Sequence, residues 1–76
     1  MRKQFETKLG STDGPVDGVV HQLNDAGTAW DFRSIDGTIH FVIARDSEGN
    51  WIRADGTEPY LSSWTEELAK KVVSHI

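Results

Sequence analysis

Apolar and polar residues alternate along the middle of the chain, which is the pattern of β-strands with one buried face. Asp36 and Gly37 separate two such segments and are typical of a two-residue type I′ turn, in which both residues need positive φ angles. This turn sets Phe32 opposite Phe41. One face of the predicted hairpin is therefore apolar and carries Trp30, Phe32, Ile39, Phe41 and Ile43.

A second turn is predicted at residues 24–27, where asparagine, aspartate and glycine cluster. It sets Leu23 opposite Thr28 and His21 opposite Trp30. Because a slip of one residue would reverse every side chain of a strand, this register decides which residues are buried. It adds three residues to the apolar face, namely Val19, His21 and Leu23.

The segment DSEGNW, from residue 46 to 51, admits two interpretations. As a calcium loop of the EF-hand type, it has oxygen ligands at the first, third and fifth positions, from Asp46, Glu48 and Asn50. The sixth position requires glycine and is Trp51, and the twelfth requires glutamate and is Thr57. The pattern therefore argues against a cation site.

As a hairpin turn, the same segment fits better. Asp46 suits the first position of a type I turn, and Gly49 suits the left-handed position that forms a G1 bulge. This turn places Ala44 opposite Ile52 and directs Trp51 toward the helix side of the sheet. A loop one residue longer would instead direct Ile52 inward. We expect Trp51 to face inward.

The C-terminal residues 63–76 show the clearest helical pattern. Ser63 and Glu66 form a capping box, which is typical of a helix N-terminus. At about 100° per residue, two sides of this helix differ in character. The apolar side carries Trp64, Leu68, Ala69, Val72, Val73 and Ile76, and the charged side carries Glu66, Glu67, Lys70, Lys71 and Ser74.

We therefore predict a single α+β domain, in which an antiparallel β-meander of four strands, or five, carries one C-terminal helix on one face. Residues 1–18 form an N-terminal strand and loop, residues 19–54 the meander, and residues 63–76 the helix. The possible fifth strand lies at the N-terminus, where Phe5 and Leu9 alternate with polar and charged residues. Residues 10–18 read GSTDGPVDG and indicate a loop.

Composition narrows the functional classes. The chain has 76 residues, no cysteine and a formal net charge of −4. The absence of cysteine suits a reducing compartment, and we expect the cytoplasm. The N-terminal residues lack the apolar run of a secretory signal, and no segment approaches the roughly 20 apolar residues that cross a bilayer. Because nucleic-acid binding needs a basic face, and basic residues here are scattered among acidic ones, we expect no nucleic-acid partner.

No catalytic motif is apparent. The three histidines, His21, His40 and His75, form no pair with metal-ligand spacing. The chain has no cysteine nucleophile, no G-x-S-x-G elbow and no phosphate-binding glycine loop. We therefore expect neither an enzyme nor a cofactor or metal, and we assign the tryptophans chiefly to the core.

The alternation of apolar and polar residues breaks down in one strand, where Val42 and Ala44 face away from the helix. We name this side of the sheet the outer face. Either the N-terminal segment covers it, with Phe5 and Leu9 as a lid, or a partner does, because exposed apolar patches rimmed by polar groups commonly mark interaction sites. The predicted partner-binding residues are Ala29, Arg33, His40, Val42, Ala44 and Ile52.

These patterns favour a small non-catalytic interaction or regulatory module that binds itself or another protein through the outer face. Two other classes remain open. One is a small β-barrel of the OB or SH3 type that binds nucleic acid or a ligand, although its acidic charge and terminal helix argue against it. The other is a small enzyme whose site is assembled from residues distant in sequence.

Overall fold

Five antiparallel strands and one helix make up the computed structural model, which describes residues 3–10, 14–56 and 63–75. The strands follow one another across the sheet in chain order, so the first and last strands lie at opposite edges and the sheet is open. This confirms the predicted α+β meander, including its fifth strand. The elements are β1 (Gln4–Leu9), β2 (Val16–Gln22), β3 (Ala29–Ser34), β4 (His40–Arg45), β5 (Trp51–Gly56) and α1 (Ser63–His75).

The core lies between α1 and one face of the sheet. Aromatic rings dominate it: Phe41 stacks on Trp64 at a centroid distance of 5.8 Å, and Phe32 lies 5.5 Å from Phe41. Burying such side chains stabilises the fold by about 1.5–3 kcal/mol each. The buried apolar residues are Leu9, Val20, Trp30, Phe32, Phe41, Ile43, Trp64, Leu68, Ala69 and Val72.

The N-terminal strand joins the edge of the sheet and forms no lid. Leu9 is 1% exposed in the core, and the ring of Phe5 lies 6.1 Å from that of Trp30. Both side chains therefore face the helix, and the proposed covering of the outer face by Phe5 and Leu9 is wrong. Alternate residues of β1 point to opposite faces of the sheet, and the pairing with β2 directs Phe5 and Leu9 toward the core. β2 itself begins at Val16, within the segment expected to be loop.

The backbone of Gly10 connects the end of β1 to α1. Its N–H donates to Oε2 of Glu67 at 2.8 Å, and its carbonyl accepts from the indole N–H of Trp64 at 2.7 Å. Glu67 was expected on the charged, solvated side of the helix. Its carboxylate instead holds the first strand against the helix.

The helix begins at Ser63, where the capping box predicts its N-terminus. Its buried side carries Trp64, Leu68, Ala69 and Val72, as expected. Val73 was also assigned to that side but is 57% exposed. It lies about 100° around the helix axis from Val72, beyond the stripe that contacts the sheet. Ile76 lies outside the described residues.

The β2–β3 connection differs from the predicted turn by one residue. Leu23 donates its N–H to the carbonyl of Ala29 at 2.8 Å, so it pairs with Ala29 and not with Thr28. Thr28 instead closes the loop, because its N–H and hydroxyl bind the side chain of Asn24 at 3.0 and 2.8 Å. The shift moves each side chain of β2 to the opposite face of the sheet. Val20 therefore lies in the core, where Val19 and His21 were expected. The assignment of Val19, His21 and Leu23 to the inner face was therefore wrong.

The β3–β4 turn is not type I′, although its predicted register is correct. Phe32 pairs with Phe41, as expected. Among the described residues only glycines have positive φ angles, so Asp36 does not meet the type I′ requirement. Its Oδ1 instead accepts from the N–H and hydroxyl of Thr38 at 3.0 and 2.7 Å and from the hydroxyl of Ser34 at 2.8 Å. A four-residue loop of this kind preserves the same strand pairing.

The hairpin interpretation of residues 46–50 is confirmed. Gly49 has a φ of 85°, and its N–H donates to the carbonyl of Asp46 at 3.0 Å. The carboxylate of Asp46 accepts from the N–H groups of Glu48 and Asn50, each at 2.9 Å, so the loop itself uses this oxygen. Trp51 pairs with Arg45 and packs against the core, as predicted.

Candidate functional site

The structure places all six predicted partner-binding residues on the outer face. Ala29 pairs with Ala44, and Ala44 pairs with Ile52. Arg33 pairs with His40 on the same side of the sheet, and Val42 lies between the two sets. The helix contacts the opposite face through β1, β4 and β5. The described residues therefore leave the outer face uncovered.

Four residues form an apolar row across one end of the outer face. We call Leu23, Ala29, Ala44 and Ile52 the apolar row; they lie side by side on neighbouring strands. The large side chains stand at its two ends, where Leu23 is 38% and Ile52 is 47% exposed. The alanines between them are half-buried, and Val42 is a further half-buried apolar residue on the same face of β4.

A polar cluster adjoins the apolar row at the middle of the sheet. We call His21, Asp31, Arg33 and His40 the Asp31 cluster. Asp31 is only 5% exposed, an unusual burial for a carboxylate on an outward-facing strand position. Nδ1 of His21 lies 3.1 Å from its Oδ1. Nε of Arg33 lies 3.4 Å and Nε2 of His40 lies 3.5 Å from its Oδ2.

These contacts explain how the carboxylate of Asp31 is accommodated. A buried carboxylate costs several kcal/mol unless charged or polar groups surround it. His21 on β2 and His40 on β4 approach it from its two neighbouring strands, and Arg33 approaches from β3. A carboxylate only accepts hydrogen bonds, so the His21 contact needs its proton on Nδ1.

The cluster presents donors to the solvent above a covered acid. The side chain of Arg33 is 64% exposed, whereas that of Asp31 is 8% exposed. His21 and His40 expose about a third of their side chains, at 38% and 35%. The Arg33 guanidinium and the two imidazole rings therefore form the solvent-facing part of the cluster, above the acid that they contact. The acids Glu6, Asp17 and Asp55 of this face lie on β1, β2 and β5.

A histidine oriented by a buried carboxylate also occurs in enzymes, where the free ring nitrogen acts as a base. Catalysis further needs a concave site that positions a substrate. Four grooves lined by described residues lie elsewhere, and none of the four includes His21, Asp31 or His40. Within the described part of the chain, no group of three or more histidine, cysteine, aspartate or glutamate residues is arranged to hold a metal ion.

Comparison with known proteins gives no relative. No family model, curated protein or solved structure matches the chain significantly. In the described ranges, no helix combines the length and apolarity needed to span a bilayer.

Sequence reasoning placed Ala29, Val42, Ala44 and Ile52 on this face, together with Arg33 and His40, as the structure has them. It assigned Leu23 and His21 to the inner face, and so missed one end of the apolar row and one member of the Asp31 cluster. The error came entirely from the β2–β3 loop, whose length sets the face of every residue in β2. Phe32 covers Gly18 on the inner face, but only the structure brings these two residues together.

Proposed function

We propose that this chain is a non-catalytic module that binds a segment of another protein through the outer face. The support is the uncovered apolar row beside the Asp31 cluster. An apolar strip bordered by hydrogen-bonding groups is the usual composition of a protein interface. The helix already covers the other face, so the outer face needs no apolar residues for folding.

The symmetry of the face favours another protein over a second copy. A two-fold axis along the central strand would place Arg33 against its own copy, which opposes like charges. An axis across the strands would set the apolar row against the Asp31 cluster.

The sheet edges are less suited to partner binding than the face. β1 carries alternating charged residues, among them Glu6 and Lys8, which discourage strand addition. The pairing of β5 is irregular opposite Val42 and Ile43, and an irregularity of this kind disrupts the flat edge that a new strand requires. The face therefore remains the larger regular surface.

Site-specific crosslinking tests this function. A photo-crosslinking amino acid would replace either Ala44 on the outer face or Val73 on the exposed side of the helix, in cells that naturally produce the chain. We expect a discrete crosslinked protein from position 44 only, and its loss when Val42→Glu is added. Equal crosslinking from both positions, or a product that survives Val42→Glu, would contradict the proposal.

A further inference from the structure

We propose that β5 opens locally from the sheet, and that the edge of β4 exposed in this way pairs with β4 of a second copy of the chain. The inference is independent of the partner proposed for the outer face, because it concerns the backbone edge of a strand. It follows from the unequal attachment of the two edge strands and from the sequence of β4.

The edge strand β1 is attached along its whole length. Its residues pair with β2 in an uninterrupted register. At one end, the N–H of Gln22 donates to the carbonyl of Lys3, and the N–H of Lys3 donates to Oε1 of Gln22, each at 2.9 Å. At the other end, the backbone of Gly10 bonds to the side chains of Trp64 and Glu67 at 2.7 and 2.8 Å. Opening of β1 therefore breaks contacts at both of its ends as well as its pairing.

The opposite edge strand, β5, is attached less firmly. All six of its residues are described, and each is half-buried or exposed. Its pairing skips Ala54, since Arg53 and Asp55 have consecutive partners on β4. Trp51, its largest side chain, borders a groove of about 390 Å³ between the hairpin and α1. Local opening begins where few apolar side chains are buried, so β5 is the edge strand that we expect to open first.

The strand next to β5 has the sequence of a self-pairing segment. Residues 38–44 read TIHFVIA and include no charged residue, no proline and no glycine. Most of these side chains are β-branched or aromatic, which favours strands. Short segments of this composition pair with identical copies of themselves. Phe41 and Ile43 are buried on the inner face, and Val42 and Ala44 lie on the outer face, so a sheet of paired β4 strands has apolar residues on both sides.

The closed sheet protects this segment. β4 lies between β3 and β5, and it pairs with both. Loss of β5 frees the N–H and C=O groups of β4 that point away from β3, and an unpaired strand edge recruits further strands. A second copy supplies an identical segment, so the apolar positions on both faces continue from one chain to the next. The matching occupant of the exposed edge is therefore the same strand of another copy.

Two engineered disulfides test which edge strand opens, because the chain has no cysteine of its own. Ala44 pairs with Ile52 across β4 and β5, and Glu6 pairs with Val19 across β1 and β2. The double variants Ala44→Cys/Ile52→Cys and Glu6→Cys/Val19→Cys are each compared in oxidised and reduced form. The second pair closes the longer loop, so it stabilises the whole fold at least as much as the first. It is therefore the matched control for global unfolding.

Each form of the whole chain is agitated at neutral pH, and assembly is followed by thioflavin T fluorescence and sedimentation. We expect oxidised Ala44→Cys/Ile52→Cys to assemble at least about tenfold more slowly than its reduced form. Glu6→Cys/Val19→Cys should assemble at the same rate in both forms. In a second comparison, Val42→Glu should slow assembly at least about tenfold, whereas Val73→Glu, which changes the net charge equally, should not. Hydrogen exchange of the assembled wild type should find residues 39–44 protected.

Several results would overturn this inference. Equal slowing by the two disulfides would show that assembly requires unfolding of the whole chain. Slowing by Glu6→Cys/Val19→Cys alone would assign the opening to β1. Equal rates for Val42→Glu and Val73→Glu, or assembled material in which residues 39–44 exchange freely, would exclude β4 as the paired segment. A wild-type chain that does not assemble would overturn the inference as well, and all of these results would leave the proposed function standing.

Discussion

Nδ1 of His21 lies 3.1 Å from Oδ1 of Asp31, across two neighbouring strands of the face that α1 does not cover. Together with Arg33 and His40, His21 surrounds a carboxylate whose side chain is 8% exposed on this open face. The arrangement keeps the imidazole and guanidinium groups outward and the acid beneath them.

Replacing Asp31 with asparagine should lower the free energy of unfolding by about 1–3 kcal/mol, because charge-assisted hydrogen bonds to a buried acceptor are lost. Asp55→Asn is the matched control, since Asp55 is exposed on the same face. Its cost should stay within about 0.5 kcal/mol. Urea denaturation of both variants measures the difference, and equal costs would show that the cluster does not stabilise the sheet.

Gly18 lies beneath the ring of Phe32, where no side chain fits. A Cβ atom at this position would overlap Cζ of Phe32 and lie 2.6 Å from the carbonyl oxygen of Arg33. Gly18→Ala should therefore cost about 3 kcal/mol or more through overpacking. A Cβ atom added at Gly37 would meet no atom within 4 Å, and the only strain in Gly37→Ala comes from the φ angle of +78°. Gly37→Ala should therefore cost about 1–2 kcal/mol. A larger loss for Gly37→Ala in thermal unfolding would contradict this assignment.

Glu67 joins a surface charge pair to a contact with the first strand. Lys71 lies four residues later, and such a pair is worth about 0.2–0.5 kcal/mol. The Glu67 carboxylate also accepts from the N–H of Gly10. Glu67→Ala should therefore destabilise the chain by about 0.5–1.5 kcal/mol more than Lys71→Ala, which removes only the charge pair. Denaturant titration compares the two variants, and Gly10 amide exchange should accelerate only in Glu67→Ala.

Acid should weaken the β3–β4 turn. Hydrogen bonds from the N–H and hydroxyl of Thr38, and from the hydroxyl of Ser34, lower the pKa of Asp36 below its usual value of 3.8. A lowered pKa means that the contribution to stability is present above the unfolded-state pKa and is lost as the pH falls through the folded-state pKa. Asp36→Asn should therefore be less stable than the wild type at pH 7, and the gap should narrow below pH 3.8. A constant gap from pH 7 to pH 2 would contradict this role.

The sequence predicted the buried face of a strand correctly wherever the predicted turn gave the correct strand register. At the β3–β4 turn, the expected and observed loops both pair Phe32 with Phe41, so an incorrect turn type changed no side-chain direction. At the β4–β5 turn, Asp46 and Gly49 identified both the loop and its register. Both turns are stabilised by residues that are close together in sequence, so the sequence is sufficient to locate them.

The Asp31 cluster could not be predicted because it depends on a side chain that lengthens a loop. Asn24 binds Thr28, so Leu23 pairs with Ala29 and His21 faces outward, while the carbonyl of Thr28 still accepts from the N–H of Arg45. Turn propensities describe backbone conformations and do not reveal such a closure. The same reasoning applies to Glu67, whose partner Gly10 is distant in sequence.

The outer face should tolerate a charge that the inner face does not. Val42 and Ile43 are adjacent in β4 and point to opposite sides; Val42 is half-buried and Ile43 is fully buried. Val42→Glu should remain folded, with a dispersed amide spectrum, whereas Ile43→Glu should unfold because it buries an unpaired charge. Val42→Glu then serves as a folded chain with an altered outer face.

Selection from a display library of random peptides about 16 residues long tests the binding function most directly. Wild-type chain serves as bait, and enriched peptides are then measured against Val42→Glu and against Val73→Glu, which alters the exposed side of the helix. We expect enriched peptides that bind Val42→Glu at least about tenfold more weakly and Val73→Glu as tightly as the wild type. No enrichment, or equal binding to Val42→Glu, would contradict a protein-binding outer face.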